Sequence, residues 1–200
     1  MNKYELLKNE TVEVNGLALC RIRALRDFGD VSAGDKGGYI ESEDNLSQDG
    51  DCWISDDARV FENARVSENA WVGGDARVFG NSMIYGDARV SGDSEVYENA
   101  LVFGNTWIFE DAQIYGRAEV FGNAWVYGDA RVFGDALVYG DACVYGNPQI
   151  FENSEVCGDA HVFENAQVFG NAQVSENAWV YRNARVSGDS LISGNQEISS

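Results

Sequence analysis

From Ile54 to Ile198 a Val or Ile recurs at every sixth residue without a slip. Four residues after each stands a small side chain, usually alanine, as in Ala58, Ala64, Ala70, Ala76 and Ser82. Asn or Asp precedes the small residue and Gly or Glu usually precedes that, so the unit reads VFGDAL from Val132 to Leu137. A fixed short period of this kind predicts a solenoid of short strands. Strand alternation puts Ala76 and Val78 on one face and Arg77 and Phe79 on the other. The uniform Ala and Val rows are expected inside, because a narrow prism has room only for small and aliphatic side chains. Gly and Asn/Asp suit the corners, since both tolerate left-handed backbone angles.

A longer period shows how the hexads stack. Trp53, Trp71, Trp107, Trp125 and Trp179 are all separated by multiples of eighteen. Three hexads therefore make one triangular coil, and equivalent residues stack at the parallel-strand spacing of roughly 4.8 Å. The expected fold is all-β: a single-stranded parallel β-helix of about eight coils on that spacing, with a small N-terminal β cap. Residues 1–50 break the hexad rule and form the expected cap; residues 51–200 form the solenoid. Within the cap, Thr11 to Val14 and Leu17 to Ala24 alternate around Asn15-Gly16, a strong hairpin signal. The cap covers a strand edge that would otherwise recruit other chains, and its Asp- and Gly-rich loop from Asp27 to Asp35 is also a candidate partner contact. At the far end NQEISS stays in register, so either Ser199 and Ser200 suffice there or that edge pairs with another copy.

The formal net charge of −19 changes the picture of partners. It argues against direct binding to nucleic acid or anionic membrane, which need basic patches, and favours basic protein partners. No apolar run approaches transmembrane length and MNKYELLKNE does not read as a signal peptide. Cys20, Cys52, Cys143 and Cys157 have neither zinc-type nor framework spacing; they read as reduced thiols, with Cys52 in an inward alanine slot, and point to a cytoplasmic protein.

Candidate chemistry is sparse. His161 is the only histidine, so a three-histidine zinc site cannot form within one chain. No insertion interrupts the repeat to build a substrate loop, and no nucleophile-base grouping or phosphate cradle is present. No catalytic residue, cofactor or metal is expected. The outward rows are the remaining candidates. Side one carries the five tryptophans with Tyr127 and Tyr145 beside them, and Trp is the leading hot-spot residue at interfaces. Side two carries Phe61, Phe79, Tyr97 and Tyr115, and side three Tyr85, Phe103, Phe121 and Tyr139; such rows serve either as stacking ladders or as binding faces. One corner stacks Asp57, Asp75, Asp93, Asp111 and Asp129, read as solvated corners bonding their own backbone or as a cation-attracting column.

The hexads resemble the hexapeptide-repeat superfamily of left-handed parallel β-helices, and that resemblance implies the left hand. The Gly-Asn/Asp-Ala punctuation, with RIRALRDFGD and GGYIESEDNLSQDG ahead of it, looks most like the YdcK-type β-solenoid proteins of bacteria and phages. Many hexapeptide relatives are trimeric acyltransferases that use a histidine and a loop between protomers; here His161 would have to stand in without that loop. Fold travels with such a resemblance and function does not. The leading expectation is a non-enzymatic interaction or scaffold protein that binds a protein partner through an aromatic or acidic side, with homo-oligomers formed through a side face or the far end as a further option. The alternatives are an acidic mimic of nucleic acid that blocks a nucleic-acid-binding protein, and an acyltransferase.

Overall fold

The computed structural model describes residues 2–200. It is a parallel β-solenoid with three sheets, one per side of the triangle. Side one is a nine-stranded sheet running from β4 (Trp53–Ile54) to Glu197–Ser199. Side three has eight strands, from Arg65–Val66 to Leu191–Ile192. Side two is eleven-stranded because the cap joins it: β1 (Tyr4–Val14), β2 (Leu17–Ala24) and β3 (Lys36–Ile40) precede the strand Arg59–Val60. The register is the expected eighteen residues, as in Trp107↔Trp125 and Ile108↔Val126.

The inner rows are as the alternation requires. Val60, Val78, Val96, Ala58 and Ala76 are all 0% exposed, and the same holds along most of the rod. Where serine replaces alanine its hydroxyl turns back to a carbonyl three residues earlier, Ser82 to Phe79 and Ser154 to Phe151, both at 2.8 Å. Pro148 fits the same slot because the amide there makes no inter-coil bond. Its carbonyl still accepts from Arg131 at 3.0 Å.

Two features differ from the sequence expectation. The rod has about nine turns instead of eight, because parallel stacking begins before the hexads do. Tyr39 and Ile40 pair with Arg59 and Val60, and Leu46 bridges to Val66, so this first coil is offset by 20 residues where later coils use 18. Ile40 and Leu46 are both fully buried and six apart, and the two extra residues fall before Ile54. Buried Asn45 replaces missing backbone there, donating to the carbonyls of Glu62 at 3.0 Å and Ala64 at 2.9 Å.

The second difference concerns the corners. Positive φ falls on the Gly/Glu position, for example 58° at Glu62 and 74° at Gly80, and not on the Asn/Asp that follows. The Asn side chains instead form ladders between coils, with Asn63 donating to Asn81 and Asn81 to Asn99, each at 3.1 Å.

The cap closes the first coil. Asn15 and Gly16, with φ of 52° and 83°, make the turn of the β1–β2 hairpin, as the Asn-Gly signal predicts. β1 is longer than expected and carries a register shift between Leu7 and Thr11. β2 pairs antiparallel with β3, which pairs parallel with Arg59–Val60, so the hairpin occupies the open edge. Val14 and Leu19 of the hairpin also fold over Phe61, burying the first ring of the side-two row that alternation alone places at the surface.

Candidate functional site

Most outward aromatic rings form ladders. On side two the rings from Phe61 to Phe169 stack in sequence, as between Phe79 and Tyr97 at 5.0 Å and 4°. On side three Tyr85, Phe103, Phe121 and Tyr139 stack at 4.8 to 4.9 Å. Tyr127 and Tyr145 belong to a third ladder running from Phe109 to Tyr181. Stacked and half-buried, these rings support the parallel strands beneath them.

The tryptophan row is different, and it divides. Trp53 is 4% exposed: Phe28 of the cap loop packs edge-on against it at 5.4 Å, which removes it from the surface row. Trp71 is half-buried because its indole lies over Gly73, where an added Cβ would stand 2.5 Å from Trp71 Cη2. Trp107 and Trp125 stack at 5.4 Å and are 40% and 43% exposed. Trp179, also exposed, stands three coils from Trp125, beyond Cys143 and His161. Arg89, between Trp71 and Trp107, places its guanidinium 5.3 Å from the Trp107 ring. His161 lies against Tyr145 and Trp179, at 6.3 and 5.3 Å.

The cap loop turns this row into one wall of a groove. Reciprocal bonds between Phe28 and Val31, at 3.0 and 2.8 Å, fix the loop tip. It stands over side one and encloses a groove of about 940 Å³. The floor is Trp71, Arg89 and Trp107, and the rims bring in Asp30 and Asp35 from the loop and Asp51 and Asp87 from a corner of the rod. Lys36 lines the groove as well, and Arg89 and Trp125 already lie against the Trp107 ring, so the groove offers indole edges beside four carboxylates and two cations. Asp51 and Asp87 were not among the candidates drawn from the sequence; only the fold of the 27–35 loop over side one shows that they share a space with the tryptophans.

The Asp57, Asp75, Asp93, Asp111 and Asp129 column is exposed throughout. Its first member is held by Arg21 at 2.7 Å. Neighbouring corner columns are interrupted by amides, as where Asn69 donates to Asp87 at 3.0 Å; this one is carboxylate after carboxylate. Among the described residues no group of three or more His, Cys, Asp or Glu is arranged to hold a metal ion. Among these residues no helix is long and apolar enough to cross a membrane.

The chain is a parallel β-solenoid, and its residues 58–74, 112–128, 124–140 and 166–182 match the YdcK β-solenoid repeat model, in line with the resemblance read from the hexads. A relative from Escherichia coli (strain K12) named as an uncharacterized acetyltransferase, YdcK, is 39% identical over 77 residues. The match covers 34% of this chain and spans only 24% of the length of that protein.

Proposed function

We propose that the protein is a non-enzymatic interaction rod that binds a basic segment of a protein partner in the groove between the cap loop and the tryptophan row. The observation that carries this reading is the convergence of Trp71 and Trp107 with Asp30, Asp35, Asp51 and Asp87 in one groove. The exposed Trp107 indole supplies hot-spot contact area, and the carboxylates select arginine or lysine at that surface. The chain's net charge of −19 steers such partners from a distance. The four free cysteines fit a cytoplasmic setting.

The test is calorimetric titration with an arginine-rich peptide, in wild type and in the Trp107→Ala variant, since Trp107 is the exposed indole of the groove. At least a tenfold loss of affinity in the variant is expected. Equal affinity in both would remove the groove as the site.

A second reading draws on the uninterrupted Asp57–Asp129 column: the rod mimics nucleic acid toward a basic nucleic-acid-binding protein. Binding would then be indifferent to the tryptophans, displaced by DNA and weakened steeply by salt. The acetyltransferase name of the relative provides a third assay. Acetyl transfer from acetyl-coenzyme A that disappears in His161→Ala would replace the binding reading with catalysis.

A further inference from the structure

Beneath the cap lies a pair of groups with no place in the binding surface. Lys3 and Cys52 are both 0% exposed. The Lys3 Nζ stands 3.1 Å from Cys52 Sγ and donates to the carbonyl of Cys52 at 2.9 Å, with the carbonyls of Asp49 and Gly50 at 3.4 Å. Its open side is covered by the Phe28 ring at 5.1 Å. Among the described residues no carboxylate forms an ion pair with this amine. A buried ammonium is costly unless paired, and among the described residues the acidic group it touches is the Cys52 thiol. Burial pushes the Cys52 thiol up, and the Lys3 charge and hydrogen bond pull against that rise.

We propose that Lys3 and Cys52 form an oxidative crosslink, a reversible sulfur–nitrogen bond that ties the cap to the first coil. The oxidant is a peroxide. In the first step the Cys52 sulfur attacks one peroxide oxygen, the O–O bond breaks, and water leaves, giving the sulfenic acid. In the second step the neutral Lys3 amine attacks that sulfur. The S–N bond forms, the S–O bond breaks, and the hydroxyl leaves as water with one proton taken from nitrogen. Sulfur is oxidised by two electrons and peroxide is reduced to water; for hydrogen peroxide, thiol plus amine plus peroxide gives sulfenamide plus two waters. If the amine starts as ammonium, one further proton passes to solvent. Sulfenic acids already condense with backbone nitrogens in this way; here a side-chain nitrogen is held in contact with the sulfur before oxidation, at 3.1 Å. Peroxide is little larger than water and enters through local opening of the cap.

The alanine slot makes the test clean. Cys52 occupies the position that Ala70 fills one coil later, so Cys52→Ala is expected to fold. The full-length protein is treated with hydrogen peroxide, its remaining thiols are blocked, and it is digested for mass spectrometry. The expected product is a linked peptide containing Lys3 and Cys52, about 2 Da lighter than the sum of its parts. It should revert on dithiothreitol and be absent from both Cys52→Ala and Lys3→Arg. The oxidised protein should also melt roughly 5 °C higher than the reduced one, as for a crosslink closing a long loop. Cys52 recovered as sulfinic acid or as free thiol beside an unmodified Lys3 would overturn the proposal. A link about 14 Da heavier, with oxygen retained between nitrogen and sulfur, would overturn the direct bond.

Discussion

The Glu62 carboxylate accepts the backbone N–H of Gly80, one coil further on, at 2.8 Å. Glu68 and Gly86, Glu152 and Gly170, and Glu176 and Gly194 repeat the arrangement at 2.7 to 2.9 Å. An acidic residue in the left-handed region thus satisfies the amide of the next corner, and glycine at that corner leaves room for the backbone of the coil beyond it. A Cβ on Gly80 would stand 2.7 Å from the backbone nitrogen of Glu98, at a φ of 74°. Gly80→Ala should therefore cost about 2 kcal/mol in denaturant unfolding. A midpoint equal to wild type would mean that the corners slide apart freely.

The division of the tryptophan row predicts two opposite outcomes from one kind of substitution. Trp53→Ala leaves a cavity under Phe28 and should cost about 3–5 kcal/mol. Trp125→Ala removes an exposed stacked ring and should cost about 1 kcal/mol. Urea unfolding of the two variants decides it; comparable losses would contradict the burial difference.

Thr106 sits in an inner slot with its hydroxyl buried and unpartnered, whereas Ser82, Ser94 and Ser154 each bond a carbonyl. Thr106→Val keeps the shape and deletes the unpaired group, so it should stabilise the rod by about 1 kcal/mol. A fall in the melting temperature would show that the hydroxyl has a partner.

Tyr97 lies in the side-two ladder between Phe79 and Tyr115. Burial, then the neighbouring Tyr115 and the carboxylates of Glu95 and Glu98, push its phenol up to about 12. The folded state keeps this proton where an unfolded tyrosine, near 10, has lost it. The stability it contributes is complete below pH of about 10 and is lost as pH rises toward about 12. Ultraviolet titration of wild type minus Tyr97→Phe should give a midpoint near the upper value; a difference curve centred near the ordinary one would refute the shift.

The sequence was legible where the physics is periodic. Every inner Val and Ala, the eighteen-residue register and the Asn15-Gly16 turn follow from local rules. The first coil was harder to read: Ile40 and Leu46 keep the six-residue step, but two extra residues before Ile54 hide their membership in the rod. The site was only half legible. The Trp spacing marks side one, yet the burial of Trp53 depends on Phe28, and the recruitment of Asp51 and Asp87 depends on where an irregular loop lands. Neither has a local sequence signal. The sequence expectation concerned the Asp57–Asp129 column alone; the neighbouring columns bond the next coil where they contain asparagine, because the parallel stack brings the neighbouring side chain within reach.

The unvarying register between Trp53 and Glu197 makes the rod a ruler marked in whole coils. Excising the eighteen residues of one coil between Trp125 and Trp179 would bring those two indoles one graduation nearer while leaving both on the same wall. Excising six residues would rotate everything downstream by one third of a turn and carry Trp179 to another side. Evolution of such a chain can therefore adjust distance and direction separately, in discrete steps, without redesigning its interior.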